Sequence, residues 1–204
     1  MGFSEGLAGQ LALPQGMVGR LLGGAMDIAN RVPTRLALDL LAPQDGERIL
    51  DAGCGTGAAL EGLLRRADIR AVGLDPSETM LASAARRLRG KALLISGTIE
   101  KSTLAPASFD AALLLNVLYF ADWQGRMVAA IHRALKPGGR LVAYVTHRET
   151  MAGWGFTHAG RHRLFDGQEL AAALVAGGFV PERIWVQEVP VTRSVRGLLV
   201  RAVR

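Results

Sequence analysis

The chain reads as an α/β protein built on a parallel sheet, and three observations predict it. Short apolar runs alternate with helix-like stretches from residue 48 to residue 145. The Phe109–Leu115 run is near-continuously apolar, as a strand buried on both faces requires. Polar or glycine residues recur just past each strand's carboxyl end. Strands alternating with helices imply βαβ units. In such sheets ligands bind beyond the carboxyl ends, so Asp51, Asp75, Gly97-Thr98 and Asn116 should converge on one crevice.

The elements follow in order. Residues 1–16, rich in Gly, Ala and Leu and broken by Pro14 and Gly16, predict a loose arm. Met17, Leu21, Leu22, Ala25, Ile28 and Ala29 then recur at helical spacing. Pro33 interrupts that helix, and Thr34–Leu41 forms a second one that ends before Pro43. Residues 1–33 thus form an N-terminal helical arm or cap, and residues 34–204 the main domain. Arg48–Asp51 is the first strand and Ala58–Arg66 its helix. Arg70–Leu74 is the second, ending at Asp75-Pro76. Ser77 caps a helix to Leu88 that buries Met80, Leu81, Ala84 and Leu88. Lys91–Ile95 is the third strand and Phe109–Leu115 the fourth. A helix from Asp122 to Leu135 is closed by Lys136-Pro137-Gly138-Gly139, and Arg140–Val145 is the fifth strand.

After it the rhythm breaks. Thr146–Phe165 is a long connection rich in Gly, His, Arg and aromatics, and loops of that length are usually functional, so residues 147–165 are expected to form a lid. Asp166–Val175 is a helix stopped by Gly177-Gly178. Arg183–Val189 and Ser194–Val203 predict a terminal antiparallel hairpin.

The 204 residues suit one domain with a full core, and half of them are hydrophobic with 21% charged. Lys and Arg number 24 against 18 Asp and Glu, but the positive charges are nearly all dispersed arginine. That pattern disfavours a nucleic-acid partner. Cys54 is the only cysteine, so no internal disulfide forms. The first thirteen residues carry Glu5 and no basic residue, unlike a signal peptide. No apolar run reaches the roughly 18 residues of a membrane span, and a cytoplasmic protein is expected.

The stretch Ile49–Gly57 is the centre of the chain. Three glycines at alternate positions, Gly53, Gly55 and Gly57, lead from a strand into a helix, where a ligand can lie against bare backbone. Gly53, Gly55 and Ala58 satisfy a permissive dinucleotide pattern, with Asp75 about twenty residues on as a ribose-binding acid. Asp51, just before the glycines, argues for a different cofactor. Its carboxylate repels a pyrophosphate and favours a cofactor with cationic groups and no phosphate. S-adenosyl-L-methionine has a sulfonium, an ammonium and a ribose.

With these residues the chain resembles the class I S-adenosylmethionine-dependent methyltransferases of the small-molecule kind, over residues 34–204. Ile49–Gly57 matches that family's first motif and Val72–Ser77 the second. Ser108–Asp110 with Leu113–Leu118 matches the fourth-strand segment, and Ala134–Leu141 the turn before the fifth strand. The resemblance implies a Rossmann-like, seven-stranded, mostly parallel sheet with an antiparallel last strand and helices on both faces. It implies that Asp51, Gly53, Cys54, Gly55 and Gly57 pack on the cofactor's amino-acid part. Asp75, with Pro76, takes the ribose hydroxyls, and Asn116 and Val117 face the methionine moiety. Where many relatives carry an Asp after the third strand, this chain has Gly97-Thr98-Ile99-Glu100. The Thr98 side chain or the Ile99 backbone N–H is then left to hold the adenine.

Methyl transfer from a sulfonium is an in-line displacement with a neutral leaving group, so alignment and exclusion of water matter most. Tyr119 and His147 are the candidate catalytic residues, the first beside the expected methyl position and the second the best base. Trp123, Trp154, His158 and His162 are further acceptor-side candidates. The His158/His162 spacing of four suits a zinc-binding helix, but Gly160 intervenes and no Cys or carboxylate partner is evident, so no metal is expected. Cys54 lacks an adjacent base and reads as packing.

The expected acceptor is a small molecule, with phospholipid headgroups a subset, since Arg20, Arg31 and Arg35 among leucines suit a peripheral membrane contact through residues 1–33. RNA or protein acceptors stay open. A DNA amine is disfavoured because Asn116-Val117-Leu118-Tyr119 stands where such enzymes carry Asn/Asp-Pro-Pro-Tyr. A nicotinamide-dependent oxidoreductase and a non-catalytic, membrane-associated module are the competing readings. The oligomeric expectation is a monomer or homodimer.

Overall fold

The computed structural model describes residues 24–154 and 162–204. The loose arm and the start of the first predicted helix therefore lie outside the described residues, as does His158.

Seven strands form one sheet in the order β3-β2-β1-β4-β5-β7-β6. They are β1 (Arg48–Ala52), β2 (Arg70–Asp75), β3 (Ala92–Ser96), β4 (Phe109–Leu115), β5 (Leu135–Thr146), β6 (Ile184–Pro190) and β7 (Arg196–Val203). Strands β1 to β5 pair in parallel, and β7 runs antiparallel between β5 and β6. This is the Rossmann-like, mostly parallel sheet with its last strand reversed.

Both faces are covered, and the strand period of two assigns each residue to a face. Ile49, Ala71, Ala111, Leu113 and Val142 pack with helix α1 (Arg31–Leu41), α2 (Ala58–Leu64) and α3 (Glu78–Leu88). Leu50, Val72, Ala112, Leu114 and Leu141 pack with α4 (Arg126–Ala134) and, beyond the short α5 (Arg148–Ala152), with α6 (Gly167–Ala176). Burial on both faces explains why β4 shows no polar alternation. Ser77 caps α3 by accepting from the Met80 amide at 3.3 Å, and Asp166 and Glu169 form a reciprocal capping box on α6. Arg140 fixes α1 to the sheet, donating to Leu41 O at 2.6 Å and to Glu47 at 2.7 and 2.8 Å.

Four details differ from the sequence reading. Pro33 does not break a helix: it lies in the first turn of α1, where its missing N–H has no helical acceptor. The break comes at Asn30, which separates α1 from the helical residues 24–29. The helix expected from Asp122 starts at Arg126, because Gly125 takes φ 71° and Asp122 accepts from the Arg126 amide at 3.1 Å. Residues 136–139 do not separate helix from strand but belong to β5, as an irregularity that shifts the register between Phe109↔Leu135 and Ala111↔Arg140. The connection after β5 contains α5, capped by His147.

Candidate functional site

A cavity of about 180 Å³ opens at the carboxyl ends of β1, β2 and β4. Asp51, Gly53, Cys54, Gly55, Asp75, Asn116 and Val117, all singled out from the sequence, line it. Asp51 is in register between Gly73 of β2 and Leu113 of β4. The loop then folds back on β2, Gly53 and Cys54 donating to Leu74 O at 2.7 and 3.1 Å. Gly53 has φ 82°, and a Cβ there would stand 2.3 Å from Val117 Cγ2, so the β1 and β4 loops meet only because it is glycine. Gly55 has φ 52°, and a Cβ there would meet no protein atom within 4 Å. The loop thus presents bare backbone to the cavity.

Two carboxylates give the cavity its chemistry. Asp75 is organised: its Oδ2 accepts from the Gly55 amide and its Oδ1 from the Ser77 amide, both at 2.8 Å. Burial still holds its carboxyl above the ordinary value. Each oxygen keeps a second lone pair for a hydroxyl donor. Asp51 is the opposite case. It is 1% exposed, and its Oδ2 has no hydrogen-bond partner. Burial, and then the charge of Asp75, push its carboxyl up to about 7. An orphaned buried carboxyl beside a second one is a site for a cation or a donor. Cys54 faces the same cavity, but burial pushes its thiol far above the ordinary range and leaves it unreactive.

The opposite wall comes from the N-terminal segment, and no residue of it was identified from the sequence. Met26, Asp27, Asn30 and Thr34 line the cavity. Thr56 Oγ1 contacts Asp27 Oδ1 and Oδ2 at 2.7 and 2.8 Å, and Arg87 donates to Asp27 Oδ2 at 2.7 Å and to Thr56 Oγ1 at 3.1 Å. Asn116, in the left-handed region at φ 58°, donates from Nδ2 to Asn30 Oδ1 at 3.0 Å. One signal was present: Asp27 is the only acidic residue between Glu5 and Asp39. Met80, Leu115 and Phe120 complete the apolar lining.

The remaining candidates do not line the cavity. Gly57 is the N-cap of α2 at φ 77°, and a Cβ there would press on Ala84 and Leu88, so its role is helix packing. Pro76 is exposed. Gly97 donates to Asp75 O at 3.1 Å, Thr98 O closes a turn with the Ser102 amide, and Ile99 is buried in the core. Tyr119 is buried, its hydroxyl donating to Asn116 Oδ1 at 3.0 Å and accepting from the Thr146 amide. Burial drives its phenol further from ionisation. His147 Nδ1 accepts from the Glu149 amide at 3.2 Å, and Nε2 lies 3.9 Å from Glu188 Oε2. Trp154 packs against the core, and Trp123 is 79% exposed under the guanidinium of Arg163. His162 reaches the site indirectly, its ring 5.2 Å from that of Phe120.

Comparison with known proteins agrees with this geometry. Residues 50–143 match the model of a methyltransferase domain. The chain is 31% identical over 161 residues to the uncharacterized methyltransferase YdaC of Bacillus subtilis (strain 168), covering 78% of this chain and 86% of that one. It is 33% identical over 118 residues to the uncharacterized methyltransferase Rv3342 of Mycobacterium tuberculosis, covering 58% of this chain but 47% of that one. The chain thus spans about half the length of that relative. Among solved structures, the Burkholderia thailandensis 1,6-didemethyltoxoflavin-N1-methyltransferase, with bound 1,6-didemethyltoxoflavin and S-adenosylhomocysteine, has a TM-score of 0.69 and 26% identity. The match covers 86% of this chain and 78% of that one. Sheet order, glycine loop, paired carboxylates and relatives agree: the chain belongs to the class I S-adenosylmethionine-dependent methyltransferases.

Proposed function

We propose that the chain transfers a methyl group from S-adenosylmethionine to a small-molecule acceptor by in-line displacement. The observation that carries the reading is the buried Asp51 carboxyl, unpartnered beside the organised Asp75 carboxylate in one glycine-lined cavity. A pyrophosphate would put negative charge against both, whereas a cofactor with cationic groups and a diol satisfies both. Bound S-adenosylmethionine supplies a methyl group on a positively charged sulfur.

The chain's own residues bind and align. Asp75 accepts from the ribose hydroxyls on its free lone pairs, held in aim by Gly55 and Ser77. Asp51 offers its orphaned oxygen to the cationic part, and the backbone of Gly53 and Gly55 with Asn116 and Val117 encloses the amino-acid end. Tyr119 is a positioning residue that sets Asn116. His147 anchors the start of α5, and neither it nor Tyr119 moves a proton in this reading. Phe120, with the His162 ring 5.2 Å from its own, is the acceptor-side wall. Residues up to 33 act as a cap on the domain 34–204. A small acceptor is supported by the small molecule bound in the Burkholderia thailandensis relative.

The test has two stages. Calorimetry with S-adenosylmethionine and with NAD should show binding of the first alone; binding of NAD alone overturns the reading. Methyl-labelled cofactor is then offered with amines, phenols and phospholipids, and with RNA and protein. Labelled small molecules are expected, and label confined to the macromolecules overturns the acceptor class.

A further inference from the structure

Behind Asp27, and sharing that residue, Thr34 and Ala58 with the cofactor cavity, lies a groove of about 520 Å³. Five arginines line it: Arg31 and Arg35 of α1, Arg65 and Arg66 just past α2, and Arg87 of α3. Among the described residues Asp27 and Glu61 are its only carboxylates, so positive charge is in excess there. Gly62 shapes its base, since a Cβ there would stand 2.6 Å from Leu38 Cδ1, so α1 and α2 approach closely.

Three of the arginines are partnered. Arg87 holds Asp27 at 2.7 Å and Arg66 holds Asp39 at 2.6 Å. Arg65 meets Glu61 at 3.2 Å, with side chains 68% and 43% exposed, a pair that stabilises little. Arg31 and Arg35 have neither an ion pair nor a hydrogen bond among the described residues. They stand four apart on one helix, where like charges repel, and the first turn of α1 carries no acidic residue to offset them. Residues 1–23 carry one acid, Glu5, and one base, Arg20, so they add no net negative charge to the sequence before the groove.

We propose that this groove binds a phosphate group, carried by a soluble ligand or by a lipid headgroup. Guanidinium forks approaching from three helices suit a tetrahedral anion, which accepts from several directions at once. The volume is that of a small-ligand site rather than of a single ion. The inference does not depend on the methyl-transfer reading.

The probes are inorganic pyrophosphate, followed by calorimetry at low and physiological ionic strength, and sedimenting vesicles of phosphatidylglycerol with phosphatidylcholine, or of phosphatidylcholine alone. The variant is Arg31→Gln with Arg35→Gln. The control, Arg86→Gln with Arg193→Gln, removes the same charge elsewhere. Pyrophosphate binding that weakens about ten-fold or more in the groove variant, and less than about two-fold in the control, supports a soluble ligand. Binding to the phosphatidylglycerol vesicles that is lost only in the groove variant, without pyrophosphate binding, supports a lipid headgroup. Absence of both, or equal loss in the two variants, overturns the site. Neither arginine lines the cofactor cavity, so S-adenosylmethionine affinity in the groove variant should be unchanged, which also shows that it is folded.

Discussion

The two sides of the cofactor cavity are held by different forces. On the sheet side, Asp51 is paired on both flanks near the end of β1, Asp75 is paired with β3 at the end of β2, and Asp75 is further locked by the Gly55 and Ser77 amides. On the N-terminal side, Asp27 and Asn30 are held by side-chain hydrogen bonds to Thr56, Arg87 and Asn116, across 29, 60 and 86 residues. The first side cannot move without opening the sheet. The second separates when three or four side-chain contacts break, and much of residues 24–29 is exposed. One side should set how tightly the cofactor is held, and the other how fast it enters and leaves.

The largest effect is expected on the sheet side. Asp75→Ala removes two charge-assisted acceptors for a diol and leaves two loop amides without a partner. At about 1.5–3 kcal/mol for each bond to a charged group, S-adenosylmethionine affinity should fall about 100-fold or more. Calorimetry checks it; a loss under about three-fold would mean that the ribose lies elsewhere.

Asp51→Asn comes next, with a signature in pH. The free carboxyl, pushed up to about 7, holds a proton below that pH, and a cationic ligand must displace it. Affinity of the unsubstituted chain should therefore weaken up to about ten-fold for each pH unit below 7, and the Asn variant should lack this dependence. Ligand-free stability runs the other way. The folded chain binds this proton more tightly than an ordinary aspartate of 3.8, so Asp51 makes stability fall as pH rises from about 4 to about 7. Thermal unfolding of the two proteins at pH 5 and pH 8 measures the sign: the Asn variant should gain relative stability at the higher pH.

Asp27→Ala and Asn30→Ala should act more weakly and on rates. Each removes side-chain bonds on the N-terminal side, worth about 1 kcal/mol apiece, so affinity falls several-fold, mainly through faster dissociation in stopped-flow measurements. A fall in the association rate as large as the rise in the dissociation rate would contradict a releasable wall.

The same contrast explains what the sequence disclosed. Asp51, the glycines and Asp75 are legible because strand ends and a glycine loop impose their geometry locally, within about twenty residues. Asp27 and Asn30 are illegible because their partners are far away in sequence and nothing local distinguishes a lone acid on a helix. Pro33 misled for a related reason, since only the break at Asn30 reveals that it opens a helix instead of ending one. At the adenine corner, Gly97-Thr98-Ile99 was placed by resemblance, and β3 ends so that Thr98 and Ile99 serve a turn and the core.

Tyr119 joins the two sides and gives the finest test. Its hydroxyl spans the Thr146 amide and Asn116, and Asn116 reaches Asn30, so one chain of hydrogen bonds runs from β5 to the N-terminal wall. A positioning role and a proton-transfer role make different demands on the same atom. Tyr119→Phe leaves Asn116 Oδ1 and a buried amide without their partner, which should cost about 1–2 kcal/mol of stability and a few-fold in cofactor affinity. If Asn116 alone is affected, kcat with a reactive acceptor should fall less than about ten-fold and its pH profile should keep its shape. A general base contributes roughly a hundred-fold or more. A loss of that size, together with disappearance of one limb of the pH profile, would return Tyr119 to the chemistry. The phenol is buried, both its hydrogen-bonding directions are engaged, and burial raises it further from ionisation, so the smaller effect is expected.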